Sequence, residues 1–192
     1  VIRRAKACQK PVVIEVKTKK GKSYEPAEKN PGEYHGISKF DIETGEPKSS
    51  GTNFSAEFGS KLCSLAEKNK NICAITAAMS LGTGLKEFSE KYPERFYDVG
   101  IAESHAITFA SGLAKGGMIP IVALYSSFVQ RAYDQLVHDG ALQKQKVILA
   151  IDRAGFVGED GVTHQGLLDV PLLNSVPDIA IYSPFTYKRM RY

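Results

Sequence analysis

The chain has 192 residues, 43% of them hydrophobic and 24% charged, which is typical of a globular protein, and no apolar run approaches the ~20 residues of a membrane-spanning helix. The net charge of +4 lies entirely in the first fifty residues, which hold 11 Lys or Arg and 7 Asp or Glu. The balanced charge of the remaining residues argues against a nucleic-acid-binding face. The three cysteines lack the spacing of metal ligands and are predicted to be reduced thiols.

The first fifty residues differ in pattern from the rest. A helix end at 3–9 precedes Pro11-Val-Val-Ile-Glu-Val, a run typical of a short buried strand. Glycines and prolines then recur without apolar periodicity, as in a long loop. Because a lone strand cannot form a sheet, we expect residues 1–24 to be the tail of a preceding domain, 25–51 to be a linker and 52–192 to be the main domain.

From residue 52 onward, helices and strands are predicted in alternation. Thr52 or Asn53 is a suitable N-cap for the first helix. The strands are rich in Val and Ile, which indicates a mainly parallel sheet with helices on both faces, an α/β fold. The predicted helices cover 53–65, 85–91, 102–114, 127–142 and 168–174, and the predicted strands cover 72–76, 95–99, 119–124, 146–151 and 179–182.

Four residues with functional side chains lie at or just after the ends of predicted strands. They are Glu103, Tyr125, Arg153 and His164. In parallel α/β sheets, ligands bind beyond the carboxyl ends of the strands. The spacing therefore predicts a ligand site at this edge of the sheet.

Glu103 begins an otherwise apolar helix, after the turn Asp98-Val-Gly-Ile-Ala. A carboxylate in a first helical turn can simply interact with the positive end of the helix dipole. The small-residue turn, the apolar helix and the nearby His105 instead favour a buried carboxyl group that exchanges a proton with a ligand nitrogen.

Three long motifs occur in this order: Asp98-Val-Gly-Ile-Ala-Glu-Ser-His-Ala, Tyr125-Ser-Ser-Phe-Val-Gln-Arg-Ala-Tyr-Asp-Gln and Asp152-Arg-Ala-Gly-Phe-Val-Gly-Glu-Asp-Gly-Val-Thr-His-Gln-Gly. These motifs resemble the pyrimidine-binding domain of the 1-deoxy-D-xylulose-5-phosphate synthase family, and so do the shorter runs Lys19-Lys-Gly-Lys-Ser-Tyr-Glu-Pro and Tyr34-His-Gly. Members of this family are thiamine diphosphate enzymes of the transketolase group. The resemblance covers nearly all of the chain. It implies a transferase that decarboxylates pyruvate and joins the two-carbon unit to D-glyceraldehyde 3-phosphate, in isoprenoid, thiamine and pyridoxal biosynthesis.

The resemblance implies thiamine diphosphate as the cofactor. Glu103 is expected to hydrogen-bond N1′ of the aminopyrimidine ring and to be catalytic. Phe128 is expected to stack on the same ring, although its spacing alone favours a core position. Tyr24 is expected to contact the cofactor from the preceding domain. Mg²⁺ is expected to have its ligands in a diphosphate-binding domain whose Gly-Asp-Gly motif this sequence lacks, so no metal ligand is predicted here.

Further catalytic residues are implied by the family. His35 is expected close to the reacting carbon, and Asp160 and His164 are expected to transfer protons to carbonyl and hydroxyl oxygens. A metal site formed by Asp160 and His164 is an alternative, although no further ligand lies close in sequence.

The family also assigns substrate-binding residues. Tyr125 and Arg131 are expected to line the substrate channel, but Arg131 could equally pair with Asp134 on the surface of its helix. Arg153 is expected to bind the phosphate of D-glyceraldehyde 3-phosphate through two parallel hydrogen bonds.

The family further implies a homodimer without a nucleic-acid or membrane partner. It implies a cytoplasmic enzyme of bacterial type, with an origin in a plastid left open. We expect the isolated chain to be inactive, because the metal and diphosphate motif is missing. Another transketolase-like enzyme, or a non-catalytic dimerisation fragment, is the alternative interpretation.

Overall fold

The chain divides into two compact units, Val1–Gly51 and Thr52–Tyr192. No helix in the described part of either unit is both long and apolar enough to cross a membrane. The computed structural model describes residues 1–37, 39–48, 51–158 and 161–191.

The described part of the first unit contains two short helices, α1 (Ile2–Ala7) and α2 (Glu25–Lys29). The strand predicted at 11–16 is wrong, since these described residues pair with no strand, and Val13 is 96% exposed. Valine and isoleucine favour a strand only where a neighbouring strand and a packed face stabilise it.

The second unit is built on a parallel sheet, which confirms the predicted α/β class. Its strand order is β2-β1-β3-β4 across the described residues. The strand predicted at 179–182 is wrong: these residues join no sheet, and Tyr182 is 88% exposed. The four strands are β1 (Ile72–Thr76), β2 (Phe96–Asp98), β3 (Ile119–Tyr125) and β4 (Ile148–Asp152).

Helices cover both faces of this sheet, as the sequence predicts. Side chains alternate along a strand, so Ile121 and Val122 of β3 enter different cores. In the described part of this unit, the α-helices outside the segment after β3 are α3 (Phe54–Lys68), α4 (Lys86–Lys91), α5 (Glu103–Lys115), α8 (Asp169–Leu173) and α9 (Tyr187–Met190). The core of Ile121 contains α3 and α4, and the core of Val122 contains α5 and α8.

The segment after β3 is not the single helix that was predicted over 127–142. It begins as α6 (Ser126–Val129), tightens to a 3₁₀ turn at Gln130–Ala132, and continues as α7 (Tyr133–Gln135). It ends as a π-helical turn at Leu136–Ala141. Apolar periodicity does not reveal such changes in hydrogen-bond pattern, which are frequent at functional sites.

Asp98, at the end of β2, joins two of the loops at the carboxyl edge of the sheet. Its Oδ1 accepts hydrogen bonds from the backbone N–H groups of Ala78, at 2.8 Å, and Gly100, at 3.0 Å. Ala78 follows β1 and has a left-handed φ of +60°, and Gly100 precedes α5. The carboxylate therefore fixes the turn from which α5 starts.

Candidate active site

Glu103 is buried at the beginning of α5, with only 3% of its surface exposed. Its Oε2 accepts a hydrogen bond from Nη1 of Arg131 at 3.4 Å. The Arg131 side chain is 57% exposed, so its guanidinium reaches solvent while the carboxylate of Glu103 is buried. The helix N-terminus adds a favourable electrostatic interaction with the same carboxylate.

Arg131 pairs with a residue that the sequence did not predict as its partner, and its role in the substrate channel stays a prediction. Asp134 pairs with Nδ1 of His138 at 3.0 Å, whereas Arg131 lies on Glu103. The two residues of the Glu103–Arg131 pair are 28 positions apart and lie on different elements, so no helical spacing could have indicated their contact.

Three ring systems meet after β3. The rings of Tyr125 and Phe128 lie at 24° to each other with centroids 6.1 Å apart. The ring of His164 stands nearly perpendicular to Phe128, with centroids 5.2 Å apart. His164 Nδ1 also forms a 2.8 Å hydrogen bond with the hydroxyl of Thr163. Phe128 therefore links one predicted substrate-binding residue to one predicted catalytic residue.

Arg153, directly after β4, is positioned by contacts on two sides. Its guanidinium carbon lies 3.8 Å from the centroid of the Tyr125 ring, a cation–π distance. Its Nη1 donates a 3.2 Å hydrogen bond to the carbonyl of Gly82 and lies 3.6 Å from Oδ1 of Asp152. The backbone at Arg153 has a left-handed φ of +56°, which is uncommon for a residue with a side chain.

Two glycines close the loop that carries His164. The N–H of Gly155 donates to the carbonyl of Gly166, and the reverse bond has the same length of 2.8 Å. A Cβ at Gly166 would lie 2.5 Å from the carbonyl oxygen of Arg153 and 2.6 Å from Oγ of Ser126. Only a glycine permits this approach, so the loop lies directly against the backbone of Arg153.

Two predicted site residues belong to the first unit. Tyr24 precedes α2, donates a 3.0 Å hydrogen bond to the carbonyl of Ile42, and meets Tyr34 edge to face with ring centroids 5.6 Å apart. His35 is exposed in the turn that follows. Their functions remain predictions, and the predicted catalytic residue Asp160 lies outside the described residues.

The second unit thus brings together six of the predicted residues in two groups. One group is Glu103 with Arg131, and the other is Tyr125 with Phe128, Arg153 and His164. Within the described residues, no group of three or more His, Cys, Asp or Glu is placed to hold a metal ion. The arrangement offers a carboxyl group, an aromatic face and a guanidinium.

Sequence reasoning missed two residues that shape the site. Asp98 was included only as part of a motif, and Gly82 was not singled out. The pair of glycines in Leu81-Gly-Thr-Gly, in the loop that follows β1, was the available signal for a close backbone contact at this position.

Comparisons with known proteins agree with this geometry. A family model described as transketolase, pyrimidine binding domain, matches residues 51–192. A 1-deoxy-D-xylulose-5-phosphate synthase from Syntrophotalea carbinolica is 57% identical over 91% of this chain, and one from Clostridium acetobutylicum is 52% identical over 100%. The chain spans 28% and 31% of the lengths of these two relatives.

Solved structures show the same fold. The split gene transketolase, described as an inactive beta4 tetramer, is 28% identical with a TM-score of 0.64, over 73% of this chain and 45% of that one. Transketolase from Leishmania mexicana has a TM-score of 0.64 at 21% identity, over 75% of this chain and 23% of that one. The curated relatives confirm the resemblance drawn from the sequence motifs, and the chain belongs to the family of transketolase pyrimidine-binding domains.

Proposed function

We propose that this chain provides the pyrimidine-binding part of a 1-deoxy-D-xylulose-5-phosphate synthase. The complete protein decarboxylates pyruvate and joins the two-carbon unit to D-glyceraldehyde 3-phosphate, for isoprenoid, thiamine and pyridoxal biosynthesis. It acts as a homodimer in the cytoplasm. The observation that carries this proposal is Glu103, a carboxyl group that is 3% exposed at the mouth of α5 in a chain 57% identical to such a synthase.

The residues of the second unit fit the aminopyrimidine end of thiamine diphosphate. Glu103 provides a buried carboxyl group that holds a proton at N1′ of the ring, and Phe128 provides a half-buried aromatic face. When bound, thiamine diphosphate supplies the carbon nucleophile of the reaction. Tyr24 contributes a further cofactor contact, and Mg²⁺ binds with the diphosphate group through residues outside this chain.

The remaining site residues act on the substrates. Arg153 binds the phosphate of D-glyceraldehyde 3-phosphate, because a guanidinium matches two phosphate oxygens at once. Tyr125 and Arg131 line the path of the substrates. His164 moves protons to and from substrate oxygens, and we assign the same role to His35 and Asp160.

The proposal is tested by replacing Glu103 in the longest natural polypeptide that contains this chain. Glu103→Gln removes the proton-exchanging group but keeps a hydrogen-bonding side chain of the same size. Turnover with pyruvate and D-glyceraldehyde 3-phosphate should fall about 10²–10⁴-fold, the usual contribution of a positioned acid–base group. Glu67→Gln, an exposed glutamate on α3, is the matched control and should leave turnover unchanged.

Two outcomes would contradict the proposal. Turnover of Glu103→Gln within about 3-fold of the parent would remove Glu103 from the acid–base chemistry. A parent protein that uses a ketose phosphate as donor and ignores pyruvate would instead be a transketolase.

A further inference from the structure

We propose that Gly82 determines specificity for the phosphate-bearing substrate, by setting the positions of Tyr125 and Arg153. The inference rests on the proposed function and assigns a positioning role to a residue that acts through Tyr125 and Arg153. Gly82 lies in the loop between β1 and α4.

The backbone of Gly82 contacts the guanidinium that we assign to the phosphate. Its carbonyl oxygen accepts the 3.2 Å hydrogen bond from Nη1 of Arg153. The Tyr125 ring, 3.8 Å from its central carbon, and Oδ1 of Asp152, 3.6 Å from Nη1, also contact that guanidinium. The carbonyl of Gly82 and the aromatic face of Tyr125 thus both contribute to its orientation.

The missing side chain of Gly82 is what allows the Tyr125 ring to lie there. A Cβ at position 82 would be 1.7 Å from the hydroxyl oxygen of Tyr125, 2.7 Å from its Cζ and 3.1 Å from its Cε1. The hydroxyl oxygen and the ring carbon Cζ that carries it are both too close, and Cε1 is in tight contact. A methyl group at position 82 therefore displaces the ring.

A displaced Tyr125 ring displaces Arg153 as well. The ring stacks toward Phe128, with centroids 6.1 Å apart, and it carries the guanidinium of Arg153. Moving the ring away from position 82 changes the surface on which the guanidinium rests. Because a guanidinium binds phosphate through two directed hydrogen bonds, a change in its orientation weakens phosphate binding specifically.

The test compares two aldehyde substrates in the longest natural polypeptide that contains this chain. For Gly82→Ala, the ratio of kcat/KM for D-glyceraldehyde 3-phosphate to kcat/KM for unphosphorylated D-glyceraldehyde should fall about 10-fold or more, as expected for a weakened charge-assisted pair. Gly112→Ala on α5 is the matched control, because its added Cβ meets no atom within 4 Å, and the ratio should not change. An unchanged ratio for Gly82→Ala would overturn the proposal.

A double-mutant cycle separates an effect through Tyr125 from a general loss of structure. Tyr125→Ala removes the ring that the new methyl group would strike, so adding Gly82→Ala to it should lower the ratio by less than about 2-fold further. A full further 10-fold loss would show that Gly82 acts independently of Tyr125. If the double variant does not fold, Gly82 is needed by the backbone itself, and the proposal is again wrong.

A spectroscopic measurement keeps this inference distinct from the proposed function. The ¹⁵N resonance of the Arg153 side chain, assigned with Arg153→Lys, should shift in Gly82→Ala and stay in place in Gly112→Ala. A parent protein without synthase activity that still shows this shift would refute the proposed function alone. An unshifted resonance in an active enzyme would refute the role of Gly82 alone.

Discussion

Replacing Arg95 by alanine is expected to lower the free energy of unfolding of the second unit by about 3 kcal/mol. Arg95 lies directly before β2, and its Nη1 donates to the carbonyls of Ala66, at 3.2 Å, Asn69, at 3.3 Å, and Ile72, at 3.2 Å. These carbonyls belong to the last turn of α3, the cap that follows and the first residue of β1. One side chain thus ties the end of α3 to the start of the sheet.

The magnitude follows from the number of hydrogens that the guanidinium offers. Nη1 carries two, so its three contacts amount to about two full hydrogen bonds, each contributing ~1.5–3 kcal/mol with a charged donor. Arg95 also stacks over the ring of Tyr92 at 4.3 Å, which adds ~0.5–1 kcal/mol. Its ion pair with Glu94 adds little because the Glu94 side chain is 66% exposed. Water reaches some of the released carbonyls and offsets part of this sum, so the expected loss is about 3 kcal/mol, the lower value for the two hydrogen bonds alone.

Urea unfolding followed by circular dichroism measures this loss. Arg95→Ala should shift the midpoint to lower urea while the slope stays constant, and Arg95→Lys should recover part of the loss through a single ammonium group. Arg4→Ala, at an exposed arginine of α1, should leave the transition of the second unit in place. A loss below about 1 kcal/mol for Arg95→Ala at constant slope would refute the account of this contact.

Two further experiments test other parts of the fold. As the N-cap of α3, Asn53 Oδ1 accepts a 2.8 Å hydrogen bond from the N–H of Ala56. Asn53→Ala should therefore lower the free energy of unfolding by about 1 kcal/mol, and Asn53→Asp should lower it much less; equal melting temperatures for the parent and both variants would contradict the cap. Burial raises the pKa of the Cys73 thiol to about 11, whereas Cys8 is exposed. A thiol reagent at pH 8, followed by mass spectrometry, should therefore label Cys8 at once and Cys73 only after unfolding. Rapid labelling of Cys73 in the folded protein would show that this thiol is not buried.

The elements that the sequence predicted well are those whose own residues determine them. β1 was predicted at 72–76 and is observed at Ile72–Thr76, because a buried apolar run that begins directly after the polar Asn69-Lys-Asn leaves little choice. The N-cap of α3 was narrowed to two residues, and the observed cap is Asn53. Apolar periodicity also placed the beginning of α5 near Ala102, within one residue of the observed start at Glu103.

The strands that failed depend on partners that the sequence pattern does not contain. Residues 11–16 and 179–182 have strand-forming composition, but a strand exists only through hydrogen bonds to a neighbour. A window of four to six residues carries no information on that neighbour. The same reasoning explains why α/β class was predicted correctly while two of the proposed strands were not.

The site was predicted as a set of residues but not as a set of contacts. Strand ends bring Glu103, Tyr125, Arg153 and His164 to one edge of the sheet, which follows from parallel topology alone. The pairing of Arg131 with Glu103 joins two elements 28 residues apart, and Arg131 lies in a 3₁₀ turn (Gln130–Ala132) that apolar periodicity does not reveal.

The paired hydrogen bonds between Gly155 and Gly166 hold these two glycines together at 2.8 Å, with Gly166 against the carbonyl of Arg153. The loop that carries His164 is therefore anchored at both of its ends beside Arg153. If His164 and Arg153 act as we propose, side chains within the loop can be exchanged while its two ends, and the backbone of Arg153, keep their place. Related enzymes would then differ in proton transfer and still bind the same phosphate.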